Sequence, residues 1–151
     1  MKNPVMPRRA ADRNLWPNSH YTGRTHMVKG TGIDIADSER ISRIIDKYGD
    51  HFIEKVFTRE EIHYCSLKAN PSLHYTGRWA AKEAFYKSLP GTCQAVSSWK
   101  SIEIRAGNFQ APVLHVCDTK LEQSMIKEGI TRTHVSISHD RNLCVATVML
   151  E

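Results

Sequence analysis

The sequence has no hydrophobic run long enough to cross a membrane. No stretch of the 151-residue chain approaches the roughly 18 to 20 consecutive apolar residues that a membrane span requires. The N-terminus also lacks the apolar segment of a secretory signal peptide. Both absences favour a cytoplasmic protein without a membrane partner. With 40% hydrophobic and 25% charged residues, the chain fits one compact domain that can bury a core.

Cysteine is scarce and widely spaced. Cys65, Cys93, Cys117 and Cys144 form no Cys-x-x-Cys pair. This spacing argues against a zinc site and gives no positive case for a disulfide framework. We therefore expect four reduced and mostly buried thiols.

Glycine-rich nucleotide-binding motifs are also missing. The stretch "GTGIDI" contains the first two glycines of a dinucleotide fingerprint, but Ile35 stands where the third glycine would be required. A phosphate-binding Gly-Lys-Ser/Thr loop is absent as well. We interpret Gly30 and Gly32 as strand positions that allow another backbone to pack closely.

The net charge of +5 is concentrated at the N-terminus. Residues 1–27 carry five cations and one acid, a net charge of +4, which leaves +1 for the rest of the chain. The segment has three prolines and no sustained periodicity of apolar residues, so we interpret it as a flexible leader, an upstream translation start or a cloning remnant. A basic arm that binds RNA is the alternative. Residues 28–151 show no basic stripe interleaved with stacking aromatics, so we expect no nucleic-acid partner.

The first part of the predicted domain is a strand followed by a helix. Small or apolar residues alternate with others over residues 28–35, which predicts a strand that ends around Asp34. Either Asp37 or Ser38 can cap the next helix. An apolar stripe then recurs at helical spacing until Gly49, which is a suitable stop. The stripe consists of Ile41, Ile44, Ile45 and Tyr48.

Three further helices and two hairpins follow, which together indicate an α+β fold. The two hairpins are formed by "SIEIRA" with "APVLHVC" and by "HVSISH" with "LCVATVML". The helix boundaries are predicted from a capping box at Thr58 and Glu61, from Pro71 and the Pro90-Gly91 pair, and from a second capping box at Thr119 and Glu122 with a stop at Gly129.

The segment "GRWAAKEAFYKSL", residues 77–89, predicts a helix with two distinct faces. Glu83 and Lys87 lie one turn apart, so the simplest interpretation is a solvated ion pair of about 0.3–0.5 kcal/mol. The functional alternative is a carboxylate and an ammonium placed for a magnesium ion and the phosphate oxygens that it bridges. Trp79 and Tyr86 share this side of the helix. Another face of this helix, which begins near Pro71, is formed mainly by small residues that would let another element approach closely: Leu73, Gly77, Ala80, Ala81, Ala84, Phe85 and Ser88.

Two other polar residues have open interpretations. Asp34, between two isoleucines near a strand end, is either a cap for the following helix or a ligand, and spacing alone favours the cap. His139 stands beside a turn at the end of "VSISH". A histidine in such a place is more often a structural hydrogen-bonding residue, but it could equally donate to a substrate phosphate.

Several separate blocks of the chain carry a family resemblance. The stretches "GTGIDIADSERI", "VFTREEIHYC", "GRWAAKEAFYKSL" and "HVSISHDRNLCVATVML" occur in the order and approximate spacing of the holo-acyl-carrier-protein synthases. Residues 28–151 resemble this short, trimeric type of 4'-phosphopantetheinyl transferase, whereas the leader lies outside the resemblance. The chain differs in having "SLPGTC" where the family approaches a Gly-Thr-Gly turn, and in Trp79 where Phe is common.

The resemblance implies a fold, an activity and a site. The fold would be a small antiparallel sheet packed against a long helix. The activity would be transfer of 4'-phosphopantetheine from coenzyme A to a serine of apo acyl carrier protein, with release of adenosine 3',5'-bisphosphate, in fatty acid biosynthesis. Asp34 and Glu83 match the family's magnesium ligands, and Lys87 would neutralise pyrophosphate charge, which makes these three the expected catalytic residues. Glu83 and a metal-bound water are the two candidates for the general base. The expected contacts to the phosphates of coenzyme A are Arg78, Lys82, Lys87 and His139.

The first helix has a cationic face opposite its apolar stripe. Arg40, Arg43 and Lys47 recur at helical spacing. Such a pattern usually marks a solvated face. Because acyl carrier proteins are acidic, the same face would also complement a carrier protein, and we expect docking there.

The length of the chain bears on its assembly, since it holds one copy of each motif. The resemblance implies a homotrimer in which Asp34 and Glu83 of one subunit meet coenzyme A bound partly by its neighbour. A competing hypothesis is a non-catalytic basic module that binds RNA or an acidic protein through the leader and first helix. That hypothesis does not explain why "GIDI" and "AAKEAF" occur together.

Overall fold

The structure is a computed structural model that describes residues 27–93 and 98–151. Nearly all of the expected leader, residues 1–27, therefore lies outside the described residues. The order of elements confirms the α+β prediction. None of the helices in the two described ranges has the length and hydropathy of a membrane span. The elements are β1 (Gly30–Asp37), α1 (Ser38–Val56), α2 (Arg59–Ser66), α3 (Pro71–Ser88), β2 (Ile102–Ala106), β3 (Pro112–Val116), α4 (Thr119–Lys127), β4 (Thr133–Asp140) and β5 (Leu143–Leu150), with 3-10 turns at Gly91–Cys93, Trp99–Ser101 and Asn108–Gln110.

The strands form two antiparallel sheets, one with the order β1-β5-β4 and one with β2-β3. Both predicted hairpins are present, as β2-β3 and β4-β5. In the larger sheet, Ala146 of β5 lies opposite Asp34 of β1 on one side and Ile137 of β4 on the other. The central position of β5 therefore brings the first and last parts of the folded chain together.

Helix α3 covers one face of the larger sheet. Its predicted small-residue face is buried, with Ala80, Ala81, Ala84 and Phe85 all 0% exposed. The sheet contributes alternate residues of β5 to the same core, because successive side chains of a strand point to opposite faces. These are Ala146, Val148 and Leu150.

The opposite face of the larger sheet is open to solvent in the described part of the chain. Ile33 and Ile35 of β1 alternate with the residues that face α3, and they are 57% and 61% exposed. Thr147 of β5 and Ser136 of β4 are exposed on the same face. This uncovered sheet face is a patch with exposed aliphatic side chains.

Strand β1 and helix α3 are in direct backbone contact. A Cβ atom at Gly32 would lie 2.0 Å from the carbonyl oxygen of Ala84, and one at Gly30 would lie 2.0 Å from the carbonyl oxygen of Ser88. Any side chain at either glycine would force the strand and helix apart. The interpretation of these glycines as sites of close backbone packing is confirmed.

Helix α1 begins where predicted but does not end at Gly49. Asp37 caps it, because its Oδ1 accepts from the backbone N–H groups of Glu39 and Arg40 at 2.7 and 3.3 Å. Gly49 (φ 54°) interrupts the helical conformation, but the helix resumes and continues to Val56. The predicted stop is therefore a kink. The second segment continues because Val56 is buried in a second apolar cluster with Ile41, and other residues of that segment pack against it.

Of the two predicted capping boxes, one is confirmed. At α2, Thr58 Oγ1 accepts from Glu61 N at 3.3 Å, and Glu61 Oε2 accepts from Thr58 N at 2.9 Å. At α4, Asp118 is the cap instead of Thr119, and it accepts from the N–H groups of Lys120 and Leu121. The second prediction was wrong because the carboxylate one residue earlier satisfies the free donors of the first turn.

The four cysteines are all free thiols, as expected. Cys65, Cys93 and Cys144 are buried, whereas Cys117 is exposed. Burial raises the pKa of Cys65 to about 12, so this thiol stays protonated at neutral pH.

Candidate active site

Asp34 points towards α3 from the middle of β1. It shares the side of the strand with Gly32 and Ala36, and its side chain is only 14% exposed. The helix-cap interpretation of Asp34 is wrong, since Asp37 makes the capping contacts of α1. Asp34 accepts instead from the ammonium of Lys87, with its Oδ1 at 2.7 Å from Nζ.

Glu83 lies on α3 where its charge interacts with that of Asp34. Partial burial, and then the negative charge of Asp34, raise the pKa of Glu83, while the cations Lys87 and Arg40 oppose the shift. Two carboxylates from different elements are thus held within electrostatic range of each other. Together with Lys87 they form what we call the outer charged cluster: Asp34, Glu83 and Lys87.

Lys87 does not form the ion pair with Glu83 that its spacing in the helix suggests. Its Nζ crosses to β1, where it donates to Asp34 Oδ1 at 2.7 Å and to the carbonyl oxygen of Ile33 at 3.3 Å. The hydrogen bond to Asp34 is the main reason that the pKa of Lys87 is raised. The backbone contact between Gly32 and Ala84 makes this reach possible, because it keeps the two elements close next to both acids.

An aromatic wall borders Glu83. Trp79 and Tyr86 precede and follow Glu83 by about one turn, and Trp99 packs on both, with ring centroids at 4.9 and 5.0 Å. Tyr86 also donates from its hydroxyl to the carbonyl oxygen of Ser98 at 2.9 Å. The sequence identified the aromatic side of α3 but not Trp99, which follows Glu83 by 16 residues and shows no pattern that would connect the two.

Lys82 is not available for a phosphate. It is fully buried and forms a 3.0 Å ion pair with Glu61, which is also fully buried. Its Nζ further donates to the carbonyl oxygens of Trp99 and Ile102 at 2.8 and 2.7 Å. An ammonium has three N–H donors, and these partners use all of them. The expected contact between Lys82 and coenzyme A is therefore not supported; we call Glu61 and Lys82 the inner charged pair.

Arg78 and His139 line a common cavity of about 200 Å³. Arg78 is 6% exposed, and its guanidinium carbon lies 3.9 Å from the ring centroid of Tyr64. Its Nη1 donates weakly to the carbonyl oxygen of His74 at 3.5 Å, while its Nε has no hydrogen-bond partner among the described residues. A buried cation with a free donor suits a bound anion. Tyr64 is a neighbour of Arg78 that no sequence pattern predicted.

The expected ligands of coenzyme A thus form two groups on different sides of α3. Arg78 and Lys87 are nine positions apart, which corresponds to a rotation of about 180° around the helix. Among the described residues that line the Arg78 cavity, none belongs to the outer charged cluster. In the part of the chain that the structure describes, the cavity of Arg78 and His139 is therefore separate from the outer charged cluster.

The cationic face of α1 is exposed, as predicted. Arg40, Arg43 and Lys47 are all solvent-exposed. Arg40 is also close enough to Glu83 for its charge to lower the pKa of that carboxyl. Tyr48, which the periodicity assigned to the apolar stripe, is 51% exposed, and the Lys47 ammonium lies 5.0 Å from its ring centroid. The face is therefore continuous with the outer charged cluster at its N-terminal end.

Comparisons with known proteins give a consistent result. Residues 30–147 match the family model of the 4'-phosphopantetheinyl transferase superfamily. The chain is 44% identical over 125 residues to a holo-[acyl-carrier-protein] synthase of Syntrophus aciditrophicus. The matched region covers 83% of this chain and 97% of that protein.

Solved structures of the same kind share the fold. The crystal structure of holo-[acyl-carrier-protein] synthase from Neisseria meningitidis is similar with a TM-score of 0.72 and 29% identity, over 83% of this chain and 99% of that one. The Helicobacter pylori holo-[acyl-carrier-protein] synthase in complex with coenzyme A is similar with a TM-score of 0.64 and 26% identity, over 80% of this chain and 99% of that one.

Proposed function

Because the chain belongs to the 4'-phosphopantetheinyl transferase superfamily, we propose that it transfers the 4'-phosphopantetheine group of coenzyme A to a serine of an apo acyl carrier protein. Similar proteins are named for this activity, and one of them was crystallised with coenzyme A. The observation that supports the proposal in this chain is the outer charged cluster, in which two acids and a lysine from β1 and α3 meet. We assign the transferase to residues 28–151 and expect it in the cytoplasm, within fatty acid biosynthesis.

The reaction exchanges one phosphorus–oxygen bond for another. The serine oxygen bonds to the β-phosphorus of coenzyme A, and the bond from that phosphorus to the bridging oxygen breaks, so adenosine 3',5'-bisphosphate leaves. The serine proton passes to Glu83 or to a water molecule. Burial and the charge of Asp34 raise the pKa of Glu83, which makes its carboxylate more basic than that of an ordinary glutamate. Lys87 would neutralise charge that develops on the pyrophosphate.

The proposed cofactor is Mg²⁺, which when bound would neutralise phosphate oxygens and promote attack on phosphorus. Asp34 and Glu83 would hold it. Burial, and then the negative charge of Asp34, raise the pKa of Glu83, and two neighbouring acids fit a site for a divalent cation. The described residues contain no group of three or more metal-ligating side chains. That suits magnesium, which takes one or two protein carboxylates and completes its shell with phosphate oxygens and water.

The two groups of expected ligands support a shared site. We propose that the chain is a homotrimer in which coenzyme A contacts the outer charged cluster of one subunit and the Arg78 and His139 cavity of another. The uncovered sheet face, with Ile33 and Ile35 exposed, would supply apolar surface for the subunit contact. Sedimentation should therefore give a trimer, and a fully active monomer would contradict the shared site.

The transfer itself is tested by mass spectrometry of apo acyl carrier protein incubated with coenzyme A, with and without magnesium. A metal-dependent gain of one phosphopantetheine mass is expected. No gain under either condition would reject the transferase and favour a binding module for an acidic protein. A gain that is unaffected by removal of the metal with EDTA would reject the magnesium site alone.

A further inference from the structure

The ammonium of Lys87 is bonded to the acid that is expected to hold the metal. Its Nζ lies 2.7 Å from Asp34 Oδ1 and 3.3 Å from the carbonyl oxygen of Ile33, so it donates twice to β1. Glu83, on the same helix, remains within electrostatic range of both Asp34 and Lys87. The Lys87 ammonium is thus located near two negative charges, and Arg40 also lies within electrostatic range of Glu83.

This ammonium is in a position to leave. The Lys87 side chain is 52% exposed, whereas that of Asp34 is 14% exposed. A lysine stem is long and flexible, and an ion pair with so much exposure is weak and easily exchanged. The inner charged pair shows the contrast, because Lys82 and Glu61 are both 0% exposed and their geometry is fixed by further hydrogen bonds.

We propose that Lys87 is an internal counter-ion that competes with the divalent cation for Asp34, and that it releases Asp34 when the pyrophosphate of coenzyme A attracts it. The inference rests on the proposed function for the identity of the anion. Its physical basis is that the Lys87 ammonium and a metal ion cannot both sit against the same carboxylate oxygen without strong repulsion. The free protein should therefore bind divalent cations weakly, and coenzyme A should strengthen that binding.

The first test measures Mn²⁺ binding to the 151-residue chain by calorimetry in the absence of coenzyme A. Lys87→Met removes the competing charge and should tighten Mn²⁺ binding by roughly two- to fivefold, the range expected for the loss of a half-exposed ion pair. Lys87→Arg keeps the charge and should bind like the wild type. Lys127→Met, which removes an exposed lysine at the end of α4, is the matched control and should change nothing.

The outcomes separate this inference from the proposed function. Unchanged or weaker Mn²⁺ binding by Lys87→Met, with native circular dichroism, would overturn the counter-ion role. If neither the wild type nor Lys87→Met bound Mn²⁺, both the counter-ion role and the metal site would be rejected. Tighter binding by Lys87→Met would support the role even if the transfer assay failed.

The second test concerns the coupling between the two ligands. Linkage requires that coenzyme A and Mn²⁺ strengthen each other's binding by the same factor. In the wild type, part of the factor by which coenzyme A strengthens Mn²⁺ binding comes from the release of Asp34 by Lys87. In Lys87→Met this contribution is absent because Asp34 has no lysine partner to lose. The factor should therefore be roughly two- to fivefold smaller in Lys87→Met, and an equal factor in both proteins would overturn the proposed release.

Discussion

The inner charged pair and the outer charged cluster each take a lysine from helix α3, yet they differ in nearly every physical respect. Lys82 and Glu61 are excluded from water, and Glu61 also accepts from the backbone N–H groups of Thr58 and Ile104. This pair joins α2, β2 and α3. The outer charged cluster is partly exposed, and its two acids repel each other. The partners of a lysine, more than its position in a motif, therefore determine whether it serves folding or chemistry.

The largest effect is expected at the inner charged pair. Lys82→Met would leave Glu61 buried and unpaired, which should lower the free energy of unfolding by about 3–5 kcal/mol. Urea denaturation measures this change. The double variant Lys82→Met with Glu61→Gln removes the stranded charge and should recover part of the loss. If Lys82→Met instead had native stability but reduced affinity for coenzyme A, the structural role of Lys82 would be rejected and Lys82 would again be a candidate ligand of coenzyme A.

The next effect is expected at the outer charged cluster, on activity and not on stability. Glu83→Gln keeps the size of the side chain but removes its charge, so turnover in the transfer assay should fall by about 10²–10³-fold. Glu122→Gln, an exposed glutamate of α4, is the matched control. If Glu83→Gln unfolds, or if it retains wild-type turnover, the proposed division between the two charged groups fails.

An intermediate effect should separate docking from chemistry. Arg40→Glu reverses a charge on the exposed face of α1 and should raise the KM for carrier protein by about tenfold, with the KM for coenzyme A nearly unchanged. Arg43→Glu reverses a second exposed charge of the same face and should also raise the carrier KM. Lys127→Glu on α4 serves as the control, and an unchanged carrier KM in both arginine variants would remove the docking face.

The smallest effect is a stability cost of the outer charged cluster itself. The pKa of Glu83 is raised in the folded state, so the folded protein disfavours its ionised form at neutral pH. In metal-free buffer, Glu83→Gln should therefore be more stable than the wild type at pH 7, by less than about 1 kcal/mol because the group is partly solvated. The difference should disappear as pH falls through the raised pKa and below the ordinary glutamate value. Thermal unfolding of the two proteins at pH 7 and at a pH below the ordinary glutamate pKa measures this difference in stability. An equal difference at the two pH values would show that the charge of Glu83 is not its cause.

Local signals allowed much of the fold to be predicted. The hairpins, the capping box of Thr58 and Glu61, and the glycines of β1 depend on residues that are adjacent or a few positions apart. Gly49 and Asp118 show where such signals fail. Helix α1 continues beyond the kink at Gly49 because the residues that follow pack into the second apolar cluster. At α4, Asp118 is the N-cap instead of the predicted Thr119.

The site was harder to predict because its contacts connect distant parts of the chain. Lys82 and Glu61 are 21 positions apart, and only the packing of α2 and β2 on α3 shows that the lysine is enclosed. Likewise, Lys87 bonds to Asp34 of β1 and not to the glutamate one turn away. A motif predicts which residues are important, whereas their roles depend on three-dimensional neighbours.

The backbone contact of Gly32 with Ala84 has a further consequence for how this protein can vary. It lies two residues from Asp34 and one residue from Glu83, so main-chain atoms, which have no alternative rotamers, set the span between the two acids. Substitutions that repack the core can change the stability of the protein, but they can do little to change the distance between Asp34 and Glu83. A designer who wished to accommodate a larger cation would have to shift the whole helix along or away from the strand.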